Sequence, residues 1–306
     1  MVSVIIPAAG QGKRMASGVN KVFLELGGKP MLVRTMLAFS AVSEVDELVV
    51  AAAGNEVDFL RKVLDKVPGL KPFKVTAGGE ERQFSVANAL QAVSPEADII
   101  LIHDAARPLV SAATITAVIA EARQSGAAIA AVREKNTVKI VGEDGVVQAT
   151  PDRATLWEVQ TPQGFQRDIL LRAYLQAMQE GFVGTDDASL VERIKVPVRV
   201  VESDYRNIKV TTPEDLLLME AILRRDIAAR AKQGVADVKQ GVQEAVDTLA
   251  EKAKSFFVHR WPIGCRKQWT RWRKKQKPFV NGWRTSLKSD RIPVIEKRRQ
   301  KIRSRR

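Results

Sequence analysis

The sequence predicts an α/β protein: a doubly wound, mostly parallel sheet with an inserted β-hairpin arm, followed by a helical and basic C-terminal tail. Three observations carry that prediction. Short apolar, β-branched runs recur along the first 200 residues, and helical patterns separate most of them. Strands alternating with helices imply βαβ units covered on both faces. Ile99-Ile100-Leu101-Ile102 is apolar without alternation, as a strand buried on both sides requires. Charge then divides the chain: residues 1–225 hold 26 Lys/Arg and 28 Asp/Glu, residues 226–258 hold five of each, and residues 259–306 hold 18 against 2. The net charge of +14 therefore belongs to the tail, and the first 225 residues are slightly acidic.

The elements follow in order. Val2–Ile6 is the first strand, and it opens into the small-residue loop from Pro7 to Met15. Met31–Ala41 is helical, Glu47–Ala53 a strand, Val57–Val67 a helix and Phe73–Ala77 a strand. Phe84–Val93 is a helix, Ile99–His103 the most apolar strand, Ala112–Gln124 a helix and Ala127–Val132 a strand. Thr137–Val141 and Val146–Thr150 flank Glu143-Asp144-Gly145, and Asp-Gly between two such runs marks a hairpin. As an arm it suits pairing with a second subunit; a plain surface hairpin has the same pattern. Val196–Val201 is a further strand. Pro213–Arg224 closes the domain as a helix, with Thr212 at the N-cap, Pro213 in the first turn and Glu214-Asp215 beside it.

Composition excludes several classes. The chain has 306 residues, 45% of them apolar, enough for one large core or two smaller ones. No run of about 18 apolar residues occurs, so no membrane-spanning helix is expected. The N-terminus enters a strand directly, so no signal peptide is expected. Cys265 is the single cysteine, which excludes an internal disulfide and fits a reducing compartment. With only His103 and His259 beside it, no zinc constellation is available. His103 reads as a structural residue at a strand end.

The loop after the first strand carries the strongest chemical signal. Pro7-Ala8-Ala9-Gly10-Gln11-Gly12 is built of small residues, and Lys13 and Arg14 follow at once. Glycines allow a tight turn and close approach of backbone to a ligand. Small residues, amides and cations together make a phosphate cradle. The spacing is neither a dinucleotide GxGxxG, since Met15 stands where the third glycine belongs, nor a P-loop, since no Gly-Lys-Ser/Thr closes it.

Further segments end or follow expected strands. They are Asn20-Lys21, Gly78-Gly79-Glu80-Glu81-Arg82-Gln83-Phe84-Ser85-Val86, His103-Asp104-Ala105-Ala106-Arg107-Pro108, Thr161-Pro162-Gln163-Gly164-Phe165, Thr185-Asp186-Asp187-Ala188-Ser189 and Asn207-Ile208-Lys209-Val210-Thr211. With the loop they make seven motifs in order. Together they resemble the 2-C-methyl-D-erythritol 4-phosphate cytidylyltransferase family over about residues 1–225.

That resemblance implies a Rossmann-like nucleotidyltransferase sheet and attack of a polyol phosphate on the α-phosphorus of CTP, with release of pyrophosphate. Arg14 and Lys21 match the family's transition-state cations, and Arg153 and Lys209 the groups that grip and aim the substrate phosphate. Pro7, Ala8, Ala9, Gly10 and Gly12 would hold the triphosphate, and Gly79, Glu80 and Ser85 the cytosine and ribose. Asp104, Arg107, Thr137, Arg153, Thr161 and Lys209 match the polyol-phosphate site. Mg²⁺ is implied, held mostly by phosphates and water. Asp104 is the protein carboxylate nearest to it in that reading.

The resemblance also implies a homodimer in which the arm brings Arg153 to the neighbouring subunit's site. It implies a cytoplasmic enzyme. Two departures stand out: Glu80 where many relatives have Asp, and Val22-Phe23 where Gln-Tyr is common. A ribitol-5-phosphate cytidylyltransferase shares the loop and most motifs. A polyanion-binding protein with an inactive nucleotide domain is the non-enzymatic alternative, and the intact cations speak against it.

The tail has no counterpart in that resemblance. Val235, Val238, Val242, Ala245, Leu249, Ala253 and Phe256 recur at helical spacing through residues 226–258, with Gly234 and Gly241 weakening the pattern. A coiled coil, a docking helix, a membrane-surface helix and a helix packed on its own domain all fit. Trp261, Trp269, Trp272 and Trp283 then lie among Lys and Arg in residues 259–306. That mixture suits an anionic membrane surface or nucleic acid, so peripheral membrane attachment is an expectation for the tail.

Overall fold

The computed structural model describes residues 1–10 and 21–229, together with the helical positions Gln240, Glu244 and Thr248. Gly12, Arg14, nearly all of the helical extension and the basic tail lie outside the described residues. Met1–Arg224 forms one compact unit and Arg225–Arg306 a second.

The first unit is built on a seven-stranded sheet. Its strands are β1 (Val2–Pro7), β4 (Glu47–Ala52), β5 (Phe73–Ala77), β6 (Ile99–Ile102), β7 (Ala127–Arg133), β10 (Trp157–Gln166) and β11 (Arg199–Glu202). Two small hairpins supply β2 (Glu25–Leu26) with β3 (Lys29–Pro30), and β8 (Ile140–Val141) with β9 (Val147–Ala149). The sheet order is β11-β7-β10-β6-β1-β4-β5. Every pairing is parallel except those of β10, which runs antiparallel to β6 and β7.

Helices cover both faces, as the doubly wound pattern predicts. They are α1 (Met31–Ser40), α2 (Val57–Leu64), α3 (Arg82–Leu90), α4 (Ala112–Ser125), α5 (Arg167–Glu180) and α6 (Asp187–Arg193). Strand side chains alternate between faces. Val4 and Ile6 of β1 therefore join one core with Leu32, Met36 and Phe39 of α1, Leu60 and Leu64 of α2 and Ile115 and Val118 of α4. Ile5, between them, joins the other with Val86 and Ala89 of α3, Leu170 and Tyr174 of α5 and Leu190 of α6. A third cluster of Leu26, Met31, Ala106, Val210 and Met219 is formed with the helix of residues 213–229. At the start of that helix Asp215 Oδ2 accepts from Thr211 and Thr212 N–H, and Asp215 N–H reaches Thr212 Oγ1 at 3.4 Å.

The structure corrects the expectations in two places. The sequence pattern does not reveal β10, because Thr161-Pro162-Gln163-Gly164 reads as a loop. The ladder skips there, from Val159 opposite Ala131 to Gln163 opposite Ile129, so Pro162 stands where no ladder N–H is required. Gly164 is needed for packing: a Cβ there would lie 2.8 Å from both Leu101 and Val118 side chains. Further on, β11 spans Arg199–Glu202 rather than Val196–Val201, since Val196 and Val198 pack on the second core before the strand begins.

The arm is present. Ile140 lies opposite Ala149 and Val141 opposite Val147, and Gly145 takes the left-handed φ of 78° that the turn requires. Ile140, Val141, Val146 and Val147 are each at least 50% exposed. A two-stranded hairpin with uncovered apolar side chains gains little stability from its own unit.

Candidate active site

The carboxyl ends of β1, β4, β5 and β6 converge, which in an open α/β sheet is where ligands bind. Ala8 N–H continues the β1 edge by donating to Ala51 O at 2.7 Å, and Gly78 N–H donates to Ala52 O at 2.7 Å. These two bonds bring the loops after β1 and β5 together over the end of β4. A Cβ at Gly78 would lie 2.5 Å from the Ala9 Cβ, so only a small residue facing glycine permits the approach. Gly79 is equally constrained by Phe84, at 2.5 Å from its would-be Cβ.

Ser85, in the first turns of α3, clamps the Gly-Gly loop. Its Oγ accepts from Gly79 N–H at 3.0 Å and lies 3.2 Å from Gly79 O and 3.1 Å from Glu81 O. Glu80 is exposed on the loop. Pro7 ends β1, and Ala8, Ala9 and Gly10 follow it with the Ala8 side chain buried. Lys21 is placed by its backbone in a 3₁₀ turn, Lys21–Phe23.

Asp104, two residues beyond the end of β6 and next to His103, is the electrostatic centre. Its Oδ1 is 3.3 Å from Arg82 Nε, and its Oδ2 is 2.9 Å from Lys209 Nζ and 3.5 Å from Arg107 Nε. Burial alone would raise the carboxyl's pKa; the charges of Arg82, Lys209 and Arg107 overcome it and hold the group well below the usual carboxylate range. The Lys209 side chain is 39% exposed, whereas Asp104 and Arg107 are buried.

A set of hydrogen bonds frames Asp104. His103 Nε2 lies 3.0 Å from the Arg107 carbonyl, which can only accept, so Nε2 carries the proton. Nδ1 then accepts from the Thr161 hydroxyl at 3.1 Å, and Thr161 Oγ1 accepts from Asp104 N–H at 3.0 Å. Burial lowers the His103 pKa to about 4, so the ring is neutral near pH 7 and serves as a structural pin. Asn207 closes the other side: its Nδ2 donates to Thr161 O at 2.8 Å, and its carbonyl accepts from Arg107 Nη1 at 2.7 Å.

The structure thus gathers Asp104, Arg107, Thr161 and Lys209 into one cluster, beside a loop junction holding Ala8, Ala9, Gly79 and Ser85. It leaves Thr137 and Arg153 on the exposed arm, where Arg153 Nη1 donates to Lys135 O at 3.0 Å. Neither has a described contact with the Asp104 cluster. Arg82 and Asn207 also belong to the cluster; both lie inside the motifs, but nothing local in the sequence marks their partners Asp104 and Thr161. A cluster with three cations around one carboxylate is suited to receive an anion. An open cleft of about 430 Å³ lies at the opposite end of the sheet, beside Ala97, Asp98, Arg123 and Arg167, away from the motifs.

Comparison with known proteins identifies the family. Residues 2–225 match the family described as "IspD: 2-C-methyl-D-erythritol 4-phosphate cytidylyltransferase". A 2-C-methyl-D-erythritol 4-phosphate cytidylyltransferase from Symbiobacterium thermophilum is 51% identical over 225 residues, covering 74% of this chain and 94% of that protein. One from Caldanaerobacter subterraneus is 44% identical, covering 73% and 99%. Among solved structures, 4-diphosphocytidyl-2C-methyl-D-erythritol synthase from Anaerococcus prevotii superposes with a TM-score of 0.66 at 32% identity, covering 73% of this chain and 98% of that one.

Proposed function

The chain belongs to the 2-C-methyl-D-erythritol 4-phosphate cytidylyltransferase family, and on that premise we propose how its own residues carry the reaction. It is a nucleotidyltransferase that moves the CMP moiety of CTP to 2-C-methyl-D-erythritol 4-phosphate, giving 4-diphosphocytidyl-2-C-methyl-D-erythritol and pyrophosphate, a step of isoprenoid biosynthesis. A phosphate oxygen of the polyol forms the new bond to the α-phosphorus, and the bond from that phosphorus to the departing pyrophosphate breaks. No protein nucleophile is needed; positioning and charge neutralisation supply the catalysis.

The observation that carries the residue assignment is the Asp104 cluster. Lys209 is held by Asp104 on a partly exposed side chain, where it would take a substrate phosphate, and Arg107 and Thr161 stand on the same frame. Asp104 faces the polyol. Pro7 to Gly12 cradle the triphosphate, Gly79, Glu80 and Ser85 hold the nucleoside, and Arg14 and Lys21 stabilise charge on the α-phosphate in flight. Among the described residues no three His, Cys, Asp or Glu side chains are grouped to hold a metal ion, and both Asp104 oxygens already face cations. The described donors therefore do not fit a built metal site, and Mg²⁺ would travel on the triphosphate.

Thr137 and Arg153 act across a homodimer in this reading. Their exposure on the arm, and the arm's uncovered Ile140, Val141, Val146 and Val147, support it. If each arm serves the other subunit, Arg153→Ala and Asp104→Asn are each nearly inactive alone, but mixed subunits regain about a quarter of wild-type activity through sites built from one intact copy of each. No recovery on subunit exchange contradicts the shared site.

In this reading residues 1–225 are the cytidylyltransferase domain, and residues 226–258 and 259–306 are accessory to it. We propose that the tail binds an anionic membrane surface. The tail sequence holds no run of about 18 apolar residues, so the contact would be peripheral. The full chain is expected to sediment with anionic vesicles at low salt and to be released as salt rises, while a chain ending at Arg225 stays in solution. Retention on DNA instead of vesicles, or on neither, contradicts it.

A further inference from the structure

Arg82 is more than a neighbour of Asp104. While its Nε meets Asp104 Oδ1, its Nη1 is 2.7 Å from Asp187 Oδ2. Asp187 stands at the start of α6, is 1% exposed, and accepts from the Tyr174 hydroxyl on α5 at 2.6 Å. Burial and the nearby Asp187 push the Tyr174 hydroxyl well above its ordinary pKa, so it stays a donor. A chain of contacts therefore runs from α5 through α6 and α3 to the carboxylate that aims Lys209. Replacing a buried ion pair by apolar groups is often neutral for stability, so stability alone does not explain these charges.

We propose that Asp187, seated by Tyr174, is a positioning residue that fixes Arg82 and through it the plane of Asp104 and the direction of the Lys209 ammonium. The reasoning is geometric. A guanidinium is a planar fork, so anchoring one nitrogen on Asp187 fixes where the other meets Asp104. With Oδ1 of Asp104 taken by Arg82, Oδ2 is the oxygen left for Lys209. Asp187 is buried and does not reach the polyol phosphate itself. Asn at this position would keep the shape but turn an amide donor or a neutral oxygen toward Arg82, and the fork would lose its charged anchor. The inference rests on the reading that Asp104 and Lys209 meet the polyol phosphate.

The test uses the full chain with CTP and methylerythritol phosphate. Asp187→Asn is expected to lower kcat/KM for the polyol phosphate about tenfold, with KM for CTP within about twofold. In an Asp104→Asn background the same change should add less than about twofold, because both variants interrupt one chain. Tyr174→Phe should give a smaller fall in the same parameter, and it carries the test if Asp187→Asn does not fold. The proposal is overturned if the variants lower the melting temperature while kcat/KM stays within twofold, or if the Asp187 effect is undiminished in the Asp104→Asn background. Normal turnover by Asp104→Asn itself would remove the underlying site reading; impaired Asp104→Asn with normal Asp187→Asn would remove this inference alone.

Discussion

Arg14→Ala and Lys21→Ala are each expected to lower kcat by about 10²- to 10³-fold, with a melting temperature within a degree or two of the parent. The transferred phosphoryl group gains negative charge on its equatorial oxygens as pyrophosphate departs. A guanidinium and an ammonium aimed at that charge act mainly in the transition state, so their loss appears in kcat more than in KM. Arg14 and Lys21 are seven residues apart in the chain, and both are proposed to face the α-phosphate. Lysine in place of Arg14 should recover only part of the rate, since a point charge does not reproduce a two-pronged contact. Stopped-assay measurement of pyrophosphate with each variant decides it; near-wild-type turnover would remove the residue from the transition state.

Asp104→Asn should do two kinds of damage. It removes the carboxylate that faces Arg82, Arg107 and Lys209, leaving buried positive charge without its partner. Breaking a buried pair in this way costs about 3 kcal/mol, somewhat reduced here because Lys209 is partly exposed. For a unit of this size that lowers the melting temperature by roughly 10 °C. Turnover should fall with it, since Lys209 loses the group that holds it.

The same carboxylate gives a signed pH effect. Its folded pKa is depressed, so its stabilisation is complete above the ordinary carboxylate value and is lost as pH falls below that value toward the folded one. Denaturant midpoints across an acid series should show this loss in the parent chain and not in Asp104→Asn. An identical acid profile in the two would mean that Asp104 is not the group held ionised by the cluster.

Much of this site was legible from residues alone, for identifiable reasons. Buried parallel strands announce themselves as continuous apolar runs, so β1, β4 and β6 stood out. Asp144-Gly145 marked the arm because a turn of that kind needs a left-handed glycine. The loop glycines were visible because close approach demands them, and the structure shows the demand at Gly78 against Ala9.

What stayed hidden depends on contacts between distant positions. The β10 strand carries Pro162 and Gly164, which no isolated strand pattern tolerates; the bulge and the tight packing on Leu101 and Val118 excuse them. Arg82 meets Asp187 across 105 residues, and His103 meets Thr161 across 58, and neither pairing leaves a periodic trace. Asn207 is fixed by Thr161 and Arg107 for the same reason. Sequence marked candidate residues by motif; the fold shows which of them hold one another.

One measurement bears most directly on the account. The full-length chain is incubated with CTP, Mg²⁺ and either 2-C-methyl-D-erythritol 4-phosphate or ribitol 5-phosphate, and the products are followed by phosphorus NMR. One pyrophosphate is expected per methylerythritol phosphate consumed, with new paired resonances of a diphosphate linking CMP to the polyol and a kcat/KM at least about tenfold above that for ribitol phosphate. No pyrophosphate from methylerythritol phosphate, or faster turnover of ribitol phosphate, would contradict it.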